Sequence, residues 1–234
     1  MTSLNKQARI AGALYILLAL IAPLRLMVIP QTIFVSGNAA ATAANIVAHE
    51  TLFRFGIVAD LLSGMAIVIV TLALYRLFKD SGRTSALLMV ILGGVFPGVI
   101  YFLNVANDAA ALKLIGGAPY LDVFDRPQRE ALALLFLHLH GAVVTAAEML
   151  WGIWLLPLAL LVWRCGFVPR VFAIWLALNG LAYIVQSVVG FIAPAHADAL
   201  ESICFPLQLG EIAFMLWMLV MGARPRSISR ETAS

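Results

Sequence analysis

Charge is what this chain has least of. Asp, Glu, Lys and Arg make up 12% of its 234 residues, where an ordinary soluble domain carries about 25%. So few charges could not cover a surface that faces water. Cysteine is scarce as well: Cys165 and Cys204 stand alone, with no Cys-x-x-Cys pair, which removes a disulfide scaffold and argues against thiol-redox chemistry. Histidine offers no metal pattern. His138 and His140 lie two apart, point to different sides of a helix and cannot share an ion, and no other apolar span carries a histidine to face them across a haem. A glycine-rich phosphate loop and a Gly-x-Ser-x-Gly elbow are both missing. Neither a metal nor an organic cofactor is expected.

What is present is apolar. Hydrophobic residues fill 63% of the positions, and the mean hydropathy is +0.99. Six long apolar runs cover residues 10–34, 55–77, 85–107, 131–162, 171–193 and 203–222. About 20 such residues cross a bilayer as a helix, so the expected fold is all-α, a polytopic membrane bundle of six transmembrane helices. The first run follows Lys6 and Arg9 like a signal peptide, yet it exceeds the roughly 7–15 apolar residues of a cleavable signal core. A retained signal-anchor is expected there. Residues 1–222 read as one transmembrane domain and 223–234 as a basic, flexible tail.

Orientation follows from the cations. With the N-terminus inside, ten of them fall on the cytoplasmic side (Lys6, Arg9, Arg76, Lys79, Arg83, Arg164, Arg170, Arg224, Arg226, Arg230) and four outside (Arg54, Lys113, Arg126, Arg129). That split predicts both termini in the cytoplasm. The net charge of +3 sits at helix ends, so membrane lipid headgroups, and not nucleic acid, are the expected partners. Residues 38–54 read as a short helix at the outer interface, and 108–130 as an outer loop rich in Gly116, Gly117, Pro119 and Pro127. Pro97 predicts a kink in the third helix.

Ionisable groups at membrane depth are the other positive feature. Arg25, Asp60, Asp108, His138, Glu148 and Glu211 fall inside or at the mouth of the apolar spans. A charge at the centre of a membrane helix costs roughly 2.5–3.5 kcal/mol on insertion scales, so these side chains should face a polar interior. Each span carries small or polar residues at spacings of three and four, which marks a buried face. Arg25, Asp60, Asn104, Asp108, His138 and Glu211 group in the outer half, Glu148 and Gln186 near the middle. A cavity open to the outside and closed by apolar packing beneath is expected, lined by Arg25, Asp60, Asn104, His138, Glu148, Gln186 and Glu211. Arg25 should pair with Asp60 or Glu211, either to tie helices together or to bind. Glu148 has no basic neighbour at its depth, which favours a functional role over a packing one. His140, Asn179 and the tryptophans read more simply as hydrogen-bonding and packing groups.

The order of short motifs is familiar. Arg9-x-x-Gly12-x-x-Tyr15, Arg54 followed by Asp60, Leu74-Tyr75-Arg76-Leu77-Phe78, Val168-Pro169-Arg170, and Gly210-Glu211 followed by Leu216-Trp217 and Gly222 together resemble a bacterial family, domain of unknown function four-three-eight-six. The resemblance covers almost the whole chain. It implies a polytopic membrane protein, transfers no catalytic residue, and raises the interest of Arg54, Asp60 and Glu211.

Three functions fit these readings. The first is binding or transport of a small polar or amphipathic ligand in the outward-facing cavity. The second is an embedded enzyme acting on a lipid or isoprenoid, with Glu148 or Asp60 as base and His138 as acid or orienter. The third is a non-catalytic scaffold or subunit whose polar stripes only pack helices. The sequence carries no signal for an oligomeric state.

Overall fold

Nine α-helices, two π turns and three short 3-10 turns account for nearly all of residues 3–223, the part of the chain that the computed structural model describes. The basic tail expected over 223–234 lies, apart from Ala223, outside the described residues. Six helical stretches are long and apolar enough to cross a membrane: Ser3–Ile33, Glu50–Ser81, Arg83–Gly116, Arg126–Cys165, Arg170–Ile192 and Pro194–Val220. They are called the first to sixth spans below. An apolar coat that includes Leu20, Leu103, Ile192 and Ile203 faces outward around them, as lipid exposure requires.

Two spans are assembled from pieces, and proline explains both. The first joins α1 (Ser3–Pro23) to α2 (Ile29–Ile33) through a π turn at Leu24–Val28. The third joins α5 (Arg83–Val90) to α6 (Phe96–Gly116) through a π turn at Ile91–Val95. Pro30 and Pro97 each stand just after the residue whose amide closes the π turn and lack the N–H that a regular turn needs, so the ladder widens ahead of them. The kink expected at Pro97 therefore takes the form of a π turn that ends two residues ahead of it in the chain.

Two connections differ from expectation. Residues 38–54 divide at His49: α3 (Ala39–Ala48) is the short helix, and Glu50 already begins α4 (Glu50–Phe78) of the second span. Asn38 caps α3 through its side chain, which accepts from the Ala41 amide at 2.9 Å. The segment 108–130 is mostly helix. α6 runs on to Gly116 and stops where Gly117 turns left-handed at φ 67°. α7 (Arg126–Cys165) starts from a reciprocal cap between Asp125 and Gln128. Loop chemistry is confined to 117–125.

The spans pack in chain order and close on themselves. The first lies against the second, each of the others against its successor, and α9 (Ala197–Val220) of the sixth returns to α1. Arg9 Nη2 donates to the Val220 carbonyl at 3.0 Å, so both ends of the described chain meet at one end of the ring. We call this the terminal end and its opposite the far end. Backbone approach closes two crossings. A Cβ on Gly98 would stand 3.0 Å from the Gly64 carbonyl oxygen, and one on Gly180 would stand 2.8 Å from that of Gly152. Small residues let helices meet this closely in lipid, which joins the second span to the third, and the fourth to α8 (Arg170–Ile192) of the fifth.

Candidate functional site

Four helices deliver one ionisable side chain each to a common point in the far half of the ring. Arg25 comes from the π turn after Pro23, Asp60 from α4, Asp108 from α6 and His140 from α7. Arg25 grips Asp108 through two bonds, Nη2 to Oδ1 at 2.8 Å and Nε to Oδ2 at 3.2 Å, and its Nε lies 3.7 Å from Asp60 Oδ2. His140 bridges the acids, with Nδ1 3.2 Å from Asp108 Oδ2 and Nε2 3.8 Å from Asp60 Oδ2. Asn104 braces the histidine's backbone, donating to its carbonyl at 3.2 Å, and accepts from Asn107 at 2.9 Å. All four ionisable groups are at most 3% exposed.

The same helices seal the cluster on both sides. Toward the far end each strand of sequence turns apolar: Ile29 and Ile33 beyond Arg25, Phe53 beyond Asp60, Ala111 and Leu114 beyond Asp108, Leu137 and Ala133 beyond His140. Ile46 of α3 completes that cap. Toward the terminal end lies the larger core, with Tyr15, Ile67, Val70, Met89 and Trp154 among its members. The polar groups expected to line an open outer cavity are thus capped in this structure. A cavity of about 490 Å³ does exist at the far end, between α3 and the facing parts of α6 and α7, lined by residues such as Ala43, Leu114, Arg126 and Glu130. None of the seven residues named from the sequence lines it.

Asp60, Asp108 and His140 hold ligand atoms within 4.8 Å of one another, close enough for a metal ion. The Arg25 guanidinium answers both carboxylates, while the buried His140 Nδ1 makes no hydrogen bond. Of the two acids expected to pair with Arg25, Asp60 does so at 3.7 Å and Glu211 is bound elsewhere, while the closer pair is with Asp108. Asn104 and Asp108 are one helical turn apart, so the residue that placed Asn104 in the interior also placed Asp108 there.

A second polar seam runs through the middle of the ring. Glu211 of α9 accepts from the Tyr15 hydroxyl of α1 through Oε1, and from Asn179 Nδ2 of α8 through Oε2 at 3.2 Å. Gln208 donates to Gln186 at 3.1 Å. Tyr183 lies within electrostatic reach of Glu211, Glu148 and Tyr101, and Tyr101 within reach of Asp60. Trp151 meets the Tyr183 ring edge-on with centroids 6.0 Å apart, and Trp154 packs on Tyr15 at the same separation. Glu148 is half-buried; among the described residues it has no ion-pair or hydrogen-bond partner, and the charge that acts on it is another acid, Glu201.

Of the seven sequence candidates, Arg25, Asp60 and Asn104 thus meet in one cluster, and Glu211, Gln186 and Glu148 belong to the central seam. His138 is exposed and His140 is the buried one. The long α7 explains this. Its inward face at the far end reads Ala133, Leu137, His140, whereas His138 shares a stripe with Gly141 and Thr145 that turns inward only deeper in the ring.

A family model described as "Domain of unknown function (DUF4386)" matches residues 10–222. No curated protein and no solved structure matches the chain.

Proposed function

The chain belongs to the family of domain of unknown function DUF4386, and from the chemistry of its interior we propose that it binds, and carries or senses, a small polar or amphipathic ligand within the membrane. One observation supports this reading above the rest: Glu148 and Glu211 stand in the ring with no cation partner among the described residues. The contrast with the far cluster is direct, because there Arg25 answers the acids. Intramembrane acids without a counter-charge are costly and mark ligand or ion pathways.

In this proposal the apolar cap around Ile29, Ile33 and Phe53 is a closed gate, and the ligand enters from the outer side when it parts. We assign the protein to the bacterial cytoplasmic membrane, with both termini inside; the ten-to-four division of cations supports that orientation. The enzyme reading loses its acid, since the exposed His138 stands apart from Asp60 and Glu148. The experiment is a thermal-stability screen of the purified protein in nanodiscs against small alcohols, amines, carboxylates and zwitterions with short apolar tails. At least one class should stabilise saturably, and the double variant Glu148→Gln/Glu211→Gln should lose the effect. Stabilisation by no class, or stabilisation that the double variant keeps, refutes the proposal.

A further inference from the structure

We propose that the Glu211–Asn179 corner is the head-group site and that it takes a primary ammonium, the polar end of a small amphipathic amine. This deepens the ligand-binding reading and rests on it. Glu211 is met by two neutral donors, the Tyr15 hydroxyl and the Asn179 amide N–H. A carboxylate offers about four acceptor positions, so half of them stay free.

The second observation is independent of the acid. Asn179 is fully buried, and its Oδ1 accepts no hydrogen bond. A buried acceptor left bare is unfavourable and calls for a missing donor. The bare oxygen belongs to the same amide group whose Nδ2 donates to Glu211. The hydrogen-bonding positions left unfilled at the corner are therefore acceptors: the free lone pairs of the carboxylate and the carbonyl-type oxygen of Asn179. An anion is repelled there, and a neutral hydroxyl would satisfy one of the two. A group with positive charge and several N–H donors satisfies both.

The surroundings select among cations. Tyr15 reaches Glu211 through its hydroxyl and packs its ring on Trp154, and Tyr183 lies within electrostatic reach of Glu211. Aromatic faces attract an organic ammonium without hydrating it, whereas a bare inorganic ion needs oxygen ligands on most sides. Glu211 stands nine residues before the end of α9 at Val220, about 14 Å along the axis at 1.5 Å per residue. An ammonium held at that depth leaves its tail in the apolar layer of the bundle.

The test uses the full chain in nanodiscs with hexylammonium chloride as probe, and hexanol, hexanoate and sodium chloride in parallel, read as saturable thermal stabilisation. Hexylammonium alone should stabilise, and Glu211→Gln, which keeps the shape and can still accept from Tyr15, should weaken its apparent affinity at least tenfold. Asn179→Ala should weaken it by a smaller factor. Glu50→Gln, at an exposed position paired only with Arg54, should leave it within about twofold. Stabilisation by sodium chloride at the same concentration overturns the ammonium assignment in favour of an inorganic cation. Binding of hexylammonium that survives Glu211→Gln but vanishes in Glu148→Gln overturns this site while leaving the broader reading intact. Binding of hexanol or hexanoate alone does the same. Failure of all four probes, together with a failed screen of the other ligand classes, removes both.

Discussion

Arg25 and Asp108, 83 positions apart in the chain, form a two-bond ion pair at 2.8 and 3.2 Å in a compartment that water does not reach. The pair fixes the first span against the third across the second. Its depth makes it costly to break and of modest net value when whole: removing one member of a buried pair typically loses about 3–5 kcal/mol, because the other is stranded.

Arg25→Ala or Asp108→Ala should therefore destabilise the protein by about that much, measured by reversible unfolding in mixed micelles. Replacing both, as Arg25→Met with Asp108→Leu, should recover most of the loss. Glu211→Gln combined with Arg25→Ala should be additive, since Glu211 binds Tyr15 and Asn179 instead. Strong coupling between Arg25 and Glu211 would show that the assigned partner is wrong.

The two histidines should behave unequally. His140→Ala removes an imidazole wedged between two buried carboxylates, and a loss of about 2–4 kcal/mol is expected from breaking such a network. His138→Ala should stay within about 0.5 kcal/mol, the ordinary range for an exposed position. Thermal melts of the two variants side by side decide it, and equal losses would refute the placement of α7.

Gly152 and Gly141, eleven positions apart on α7, form a matched pair for packing. A methyl group on Gly152 collides with the Gly180 carbonyl and the Ile184 backbone, whereas one on Gly141 meets nothing within 4 Å. Gly152→Ala should cost about 1–3 kcal/mol from overpacking, and Gly141→Ala should be neutral or slightly stabilising. Melting temperatures measured in the same micelles test both.

Much of the architecture is legible in the sequence because lipid imposes a simple rule: the apolar runs had to be helices, and their number and order follow from hydropathy. Their ends were harder to read. Residues such as Glu50, Lys113 and Arg126 are charged yet helical, since a helix can extend past the apolar layer into water when its caps are good, as at Gly117 and Asp125. The site was legible by residue type and only partly by partner. Asp60, Asn104 and Arg25 were found from depth and stripe, but a stripe on a helix as long as α7 drifts around the axis, which exchanged His138 for His140. Asn179 reads from the sequence as an interhelical hydrogen-bonding group, and it is one, but nothing in a sequence announces which side-chain oxygen will be left bare.

The end-to-end contact between Arg9 and Val220 brings the described termini together, and the ten-to-four cation division predicts that they share the cytoplasm. Reporter fusions after residue 234 should be active as cytoplasmic enzymes and inactive as periplasmic ones. The reverse pattern would invert the topology and with it the side from which a ligand enters.

The most direct measurement asks whether water and small solutes reach the central seam. Glu148→Cys, on a background of Cys165→Ser and Cys204→Ala, is treated in proteoliposomes with a small, charged, membrane-impermeant thiol reagent. If the ring encloses a binding cavity, this thiol reacts, and it reacts more slowly in the presence of a ligand that stabilises the protein. A thiol that reacts only with lipid-soluble reagents, or with none, would mean that Glu148 faces packed side chains or lipid, and that the polar seam holds the bundle together without receiving a ligand.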